Sequence, residues 1–174
     1  SVDVGVTVAE FPTTIGAAEA CRSANQSIIM GATNVIRGGS HSGNVAATEL
    51  GDSGLLDILS SDYIPAALLM GAVRLGKRQG DLVAGIRMVT STPADAAGLD
   101  DSGRLEVGKR ADIIRFCIND DLPMIGGVYA RGRQVVCLNG QVLLRAFIRL
   151  VSCIVSWQRY LVSDSLPPSS VLLS

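Results

Sequence analysis

The sequence predicts an α/β fold in which buried parallel strands alternate with helices, followed by a small β region. Three observations carry this. Apolar runs at residues 27–30 (SIIM) and 55–59 (LLDIL) each stop at a polar or glycine-rich segment, the way a buried parallel strand delivers loops at its C-terminal end. Aromatic residues are only 4% of the 174-residue chain, so Val, Ile, Leu and Ala must fill the interior, as they do in the layers of a β/α barrel. From Gly98 onward, helical periodicity gives way to short strands joined by Asp-Ser-Gly and Val-Gly-Lys turns.

The elements follow in order. GVTVAEF, from Gly5, suits a short strand ending at Glu10, and Pro12 with Thr13-Thr14 opens a helix over residues 15–23. After the SIIM strand, the glycine-flanked segment with SHSGN at residues 40–44 reads as a loop, and residues 45–50 as helical. LLDIL is a strand whose exit is Ser60-Ser61-Asp62. PAALLMGAVRL at residues 65–75 is an amphipathic helix, residues 82–89 another, and residues 93–97 a short one with Thr92 as its N-cap. In the β region, GVYARGRQVV at residues 127–136 fits a hairpin turning at Arg131-Gly132. Lys109 to Asp112 precede the strand-like IIRF and read as part of a hairpin rather than a binding site.

Residues 143–162 are apolar but broken by Arg145, Arg149 and Arg159, so they fall short of the roughly 20 uninterrupted apolar residues a membrane span needs. An amphipathic helix is expected there, with a disordered Ser/Pro-rich end. The resulting division is a partial barrel over residues 1–97, a partial β-sandwich over 98–137, and a divergent tail of doubtful reading frame over 138–174.

Composition narrows the partners. The net charge is −1 with Lys and Arg scattered along the chain, so no electrostatic footprint for nucleic acid or an anionic membrane is present. A small-molecule partner is expected instead. Cys21, Cys117, Cys137 and Cys153 are widely spaced with no CxxC pair, and read as ordinary buried thiols of a reducing cytoplasm.

Residues 31–62 bring the single histidine, His41, a glycine-flanked polar segment and the strand-end Asp62 into one unit. Each residue also has a plain reading. Asp62 suits the N-cap of the helix starting near Pro65. His41 suits a surface or structurally bonded imidazole, Arg37 a solvated cation, and Glu10 a strand-end surface charge.

Four segments decide between these readings: VTVAEFPTT at residues 6–14, MGATNVIRGGSHSGNVAA at 30–47, GLLDILSSDYIPAALL at 54–69, and TSTPADAAGLDDSGRLEVGKRADII at 90–114. They resemble the C-terminal half of amidohydrolase-superfamily enzymes. The first three resemble in particular the superfamily's diphosphatases of organic phosphonate breakdown, while the fourth is widespread in the superfamily and marks the passage from barrel to β-sandwich. The resemblance covers residues 1 to about 137. It departs from the family pattern at Thr33, where a proline is usual, and at Thr92-Pro93, where Asn-Pro is usual.

The resemblance implies the C-terminal part of an amidohydrolase-type TIM (β/α)8 barrel, about three barrel strands, followed by a small β-sandwich portion. It implies a divalent metal, zinc or manganese, that lowers the pKa of a bound water to about 7. The implied reaction is hydrolysis of α-D-ribose 1-methylphosphonate 5-triphosphate to the 5-phosphate plus pyrophosphate. Asp62 matches the last barrel-strand aspartate, which binds metal or takes a proton from the nucleophilic water. His41 is the second catalytic candidate, by donating to a phosphoryl oxygen or shuttling a proton. Arg37, with its forked donors, and Ser40, Ser42, Asn44 and Glu10 are the substrate-binding candidates. Gly38, Gly39 and Gly43 let backbone amides approach an anion.

The histidine pair, the bridging ligand and a further histidine that complete such a metal site are expected on sequence preceding Ser1, so this chain alone is expected to be inactive. Two alternatives stand beside that reading: an amidohydrolase acting on carbon–nitrogen bonds, as a deaminase or cyclic amidase, and a non-catalytic truncated fragment. Uncovered barrel edges imply association with copies of itself or with other chains.

Overall fold

The computed structural model describes residues 6–40 and 43–137, and the backbone of 170–173. They fall into two compact units, Ser1–Met88 and Val89–Ser174. That division lies upstream of the change in composition at Gly98.

The first unit alternates strand and helix. Its elements are β1 (Val8–Glu10), α1 (Ile15–Ser23), β2 (Ser27–Gly31), α2 (Ala32–Arg37), α3 (Ala47–Asp52), β3 (Ile58–Ser60), α4 (Ala67–Gln79) and α5 (Leu82–Arg87). The three strands form one parallel sheet in the order β1-β2-β3, with Val8 opposite Ser27 and Ile29 opposite Ile58. Central β2 buries Ile28 and Met30 on one face, with Ile29 half-buried on the other.

Local chemistry sets the element ends. Thr14 caps α1 at the expected place, its side chain accepting from the Ala17 N–H at 3.1 Å. LLDIL begins its strand later than its apolar run suggests, because the Leu55 N–H bonds the Leu50 carbonyl and closes the turn after α3. Helix α4 ends at Gly80, whose φ of +72° lets its N–H turn back to the last turn of the helix. Lys77 and Arg78 sit in that last turn, where cations complement the helix dipole. Gly76 and Gly85 allow α4 and α5 to touch backbone to backbone.

One expectation is corrected here. The segment after β2 is not all loop: Ala32–Arg37 form α2, so Arg37 is a helical residue. Its sequence, ATNVIR between glycines, holds β-branched and Asn residues that are poor helix formers. Burial of Ala32, Thr33 and Val35 overrides that propensity, with Ala32 close against Gly71 of α4. Gly38 ends the helix in the left-handed conformation at φ +79°.

The second unit opens with α6 (Ser91–Ala96), whose N-cap position is held by Thr90 rather than the expected Thr92, with no side-chain cap bond. The helix can start before Pro93 because the proline then falls in the first turn, where a backbone N–H has no helical partner to lose. An antiparallel sheet follows in the order β6-β5-β4-β7, built from β4 (Ile113–Asn119), β5 (Leu122–Ala130), β6 (Arg133–Cys137) and β7 (Ser170–Leu173). The β5–β6 hairpin turns at Arg131-Gly132 as expected, both at positive φ. Phe116 packs in this unit with Ile114 and Val128 also buried.

The chain end, read from sequence as disordered, includes β7, which pairs antiparallel with β4. The outer edge of β4 offers an unpaired row of backbone donors and acceptors that an extended SVLL segment can satisfy. The helix expected over residues 143–162 lies outside the described residues.

Candidate functional site

The three parallel strands point their C-terminal ends the same way, and their exits bend sharply. Phe11, just past β1, has φ +52°, and Asp62, just past β3, has φ +53°. The Phe11 N–H still bonds the Ile29 carbonyl at 3.1 Å, so the chain leaves the sheet immediately after a last ladder contact. Between these exits, β2 runs through Gly31 directly into α2.

A cleft of about 110 Å³ opens where the exits meet. Gly31, Thr33, Asn34, Arg37 and Gly39 line one side, and Phe11, Asp62 and Tyr63 the other. The Thr33 hydroxyl donates to Asp62 Oδ2 at 3.1 Å. A Cβ on Gly31 would lie 3.3 Å from both that carboxylate oxygen and the Thr33 hydroxyl, so glycine leaves the pair its room. The Arg37 guanidinium lies over the Tyr63 ring, 5.6 Å from its centroid.

Further bonds brace the exits. Asn34 Oδ1 accepts from the Ala47 N–H at 2.9 Å and so fixes α2 to the start of α3. The Val45 N–H donates to the Thr13 carbonyl at 3.0 Å, joining the segment before α3 to the β1 exit. At the opposite end of the sheet, Asp57 accepts from the Ile28 N–H at 2.7 Å and from Arg22 at 2.9 Å. These bonds tie α1 and the segment before β3 to β2.

The structure brings together three of the residues singled out from the sequence, Arg37, Gly39 and Asp62. Asp62 does not cap α4: Ala66 holds that position, with no side-chain cap. Glu10 and Asn44 are exposed, and neither they nor Ser40 line the cleft. His41 and Ser42 lie outside the described residues. Sequence reasoning did not assign Thr33, Asn34, Tyr63 or Phe11 to a cleft. The missed signal was the helical spacing of Thr33 and Arg37, four apart, which puts both on one face once ATNVIR is helical.

Beside the cleft, an apolar pocket of about 170 Å³ lies between α2 and the start of α4, lined chiefly by Ile36, Ile64, Ala66, Ala67 and Met70. It offers almost no polar group.

As a metal site the described residues are incomplete. A catalytic zinc-type site takes three protein ligands, and no group of three His, Cys, Asp or Glu side chains is gathered among the described residues. Among the described residues Asp62 is the single carboxylate that lines the cleft. Also among the described residues, no helix is long and apolar enough to cross a membrane.

Ligand sites of α/β folds lie at the C-terminal ends of their parallel strands, where Arg37 and Asp62 stand here, and residues 5–142 match the model of the amidohydrolase family. The chain belongs to that family. Over 138 residues it is 48% identical to the α-D-ribose 1-methylphosphonate 5-triphosphate diphosphatase of Escherichia coli strain K12. That alignment takes in 78% of this chain and 36% of the relative, so the chain spans about a third of the relative's length.

Proposed function

We propose that this chain carries the last strand exits of an amidohydrolase barrel whose whole protein hydrolyses α-D-ribose 1-methylphosphonate 5-triphosphate to the 5-phosphate and pyrophosphate. The observation that carries the proposal is the placement of Arg37 and Asp62 in one cleft at the C-terminal ends of parallel strands. Identity with a diphosphatase over most of the chain supports the substrate class. On this reading the parallel sheet is an arc of a (β/α)8 barrel and the antiparallel sheet is part of a β-sandwich.

The chemistry follows from the donor types. Water adds to the phosphorus nearest the ribose, the bond from that phosphorus to the bridging oxygen breaks, and pyrophosphate leaves with that oxygen. The Asp62 carboxylate, acceptor-only when ionised, takes a proton from the water. Arg37 offers forked donors to the non-bridging oxygens, stabilising charge that grows in the transition state. His41 donates to a phosphoryl oxygen or shuttles a proton, and Ser40, Ser42, Asn44 and Glu10 are the further substrate contacts of this reading, although Ser40, Asn44 and Glu10 do not line the cleft. A divalent ion, zinc or manganese, belongs to this reading, with Asp62 as one ligand and the remaining donors outside the described residues. Among the described residues β1 and β3 are the edge strands of the parallel sheet, and on this reading such edges pair with further barrel strands, with copies of this chain or with other chains.

The test is product analysis with the full-length protein. Pyrophosphate, released in equal amount with the 5-phosphate, is the expected result. Release of ammonia from amide or amidine substrates, with the triphosphate untouched, would instead make it a carbon–nitrogen hydrolase.

A further inference from the structure

We infer that Thr33 is a positioning residue for Asp62: its hydroxyl holds one carboxylate oxygen so that the other faces the reacting group. The inference rests on the reading of Asp62 as the proton-accepting carboxylate. Thr33 lies in the first turn of α2 and is 6% exposed. A β-branched side chain in a helix has few rotamers open to it, which makes Thr33 a stiff point from which to donate. Its target is the opposite kind of residue. Asp62 is exposed, stands just beyond the end of β3, and sits at φ +53°.

Among the described residues the Asp62 carboxylate has one hydrogen bond, from Thr33 Oγ1 to Oδ2 at 3.1 Å. Without it the side chain could turn among staggered rotamers. With it Oδ2 is held and Oδ1 keeps its lone pairs for water. A neutral hydroxyl orients the carboxylate and leaves its charge intact, which an arginine or lysine in the same place would offset. Gly31 belongs to the device, since a Cβ there would lie 3.3 Å from both bonded oxygens.

The test compares Thr33→Val, which removes the hydroxyl at nearly constant volume, with Thr33→Ser, which keeps it. In the full-length protein we expect Thr33→Val to lower kcat about tenfold, the loss of a hydrogen bond to a charged group, with KM within about twofold. Thr33→Ser should hold kcat within about threefold. Equal losses in the two variants would overturn the inference, since the variant that keeps the hydroxyl would then fare no better than the one that lacks it. So would parental kcat in Thr33→Val while Asp62→Asn is inactive. Parental kcat in both Thr33→Val and Asp62→Asn would contradict the reading of Asp62 itself, as would a parent with no turnover, and the inference falls with it. Should Thr33→Val not fold, Thr33→Ala set against Thr33→Ser decides by the same comparison.

Discussion

Arg37 and Tyr63 leave different strand exits, yet the guanidinium of the first lies 5.6 Å from the ring centroid of the second. The pair joins the α2 side of the cleft to the β3 side. A long cation on the last residue of a helix would otherwise sample many rotamers, and the ring restricts it while leaving its forked donors for an anion.

Replacing Tyr63 with leucine should therefore weaken binding of an anionic substrate more than it slows chemistry. An exposed cation–π contact is worth about 0.5–1 kcal/mol, which corresponds to a KM raised about two- to fivefold. Tyr63→Phe, which keeps the ring, should leave KM close to the parent. Initial-rate kinetics over a range of substrate concentrations checks both.

Asp57 anchors the other end of the sheet. Asp57→Ala removes the acceptor of the buried Ile28 N–H as well as the partner of Arg22, so the expected cost is about 1–3 kcal/mol. Asp57→Asn keeps an acceptor and loses mainly the ion pair. With the Arg22 side chain 42% exposed, solvent screening holds that loss to about 1 kcal/mol or less. Urea unfolding should rank the two in that order, and equal midpoints would show that the Ile28 bond contributes little.

The contact of α4 with α5 admits no side chain at Gly85. A Cβ there would press into the Ala72 carbonyl and fall 2.7 Å from Gly76 Cα, both backbone atoms with nowhere to swing. Gly85→Ala should destabilise by about 1–3 kcal/mol, the usual cost of overpacking, although alanine is the better helix former. A thermal midpoint at or above that of the parent would contradict this contact.

Two surface carboxylates set a pH dependence. Asp52 is held below the ordinary value of 3.8 chiefly by hydrogen bonds from Arg78, and Asp95 likewise by those from Arg104. A carboxylate depressed on folding stabilises the protein above its unfolded pKa, and that stability is lost as pH falls through the lower folded value. Stability should thus decline below about pH 4, by a small amount because both pairs are exposed and screened. The double variant Asp52→Asn/Asp95→Asn should show a shallower decline in thermal scans from pH 6 to about pH 3.

How far the sequence discloses the molecule depends on whether local chemistry or packing fixes each part. Thr14 makes the start of α1 legible because its cap is a local hydrogen bond, and Arg131-Gly132 marks its hairpin by backbone conformation alone. Helix α2 was hidden because its residues favour a helix only once Ala32 and Val35 are buried, which a linear pattern does not display. Asp62 and Arg37 were legible as candidates through their motifs, but the Thr33 hydroxyl and the Tyr63 ring acquire their places only when the exits of β2 and β3 are brought side by side.

Asp62 is the central claim, and Asp62→Asn tests it most directly. Asparagine tolerates the left-handed backbone and can still accept from Thr33, so the fold and thermal midpoint should stay close to the parent. The account predicts that, in the full-length protein, pyrophosphate release from the triphosphate falls at least about 100-fold, the scale of a lost general base. A folded Asp62→Asn protein releasing pyrophosphate at the parental rate would contradict it.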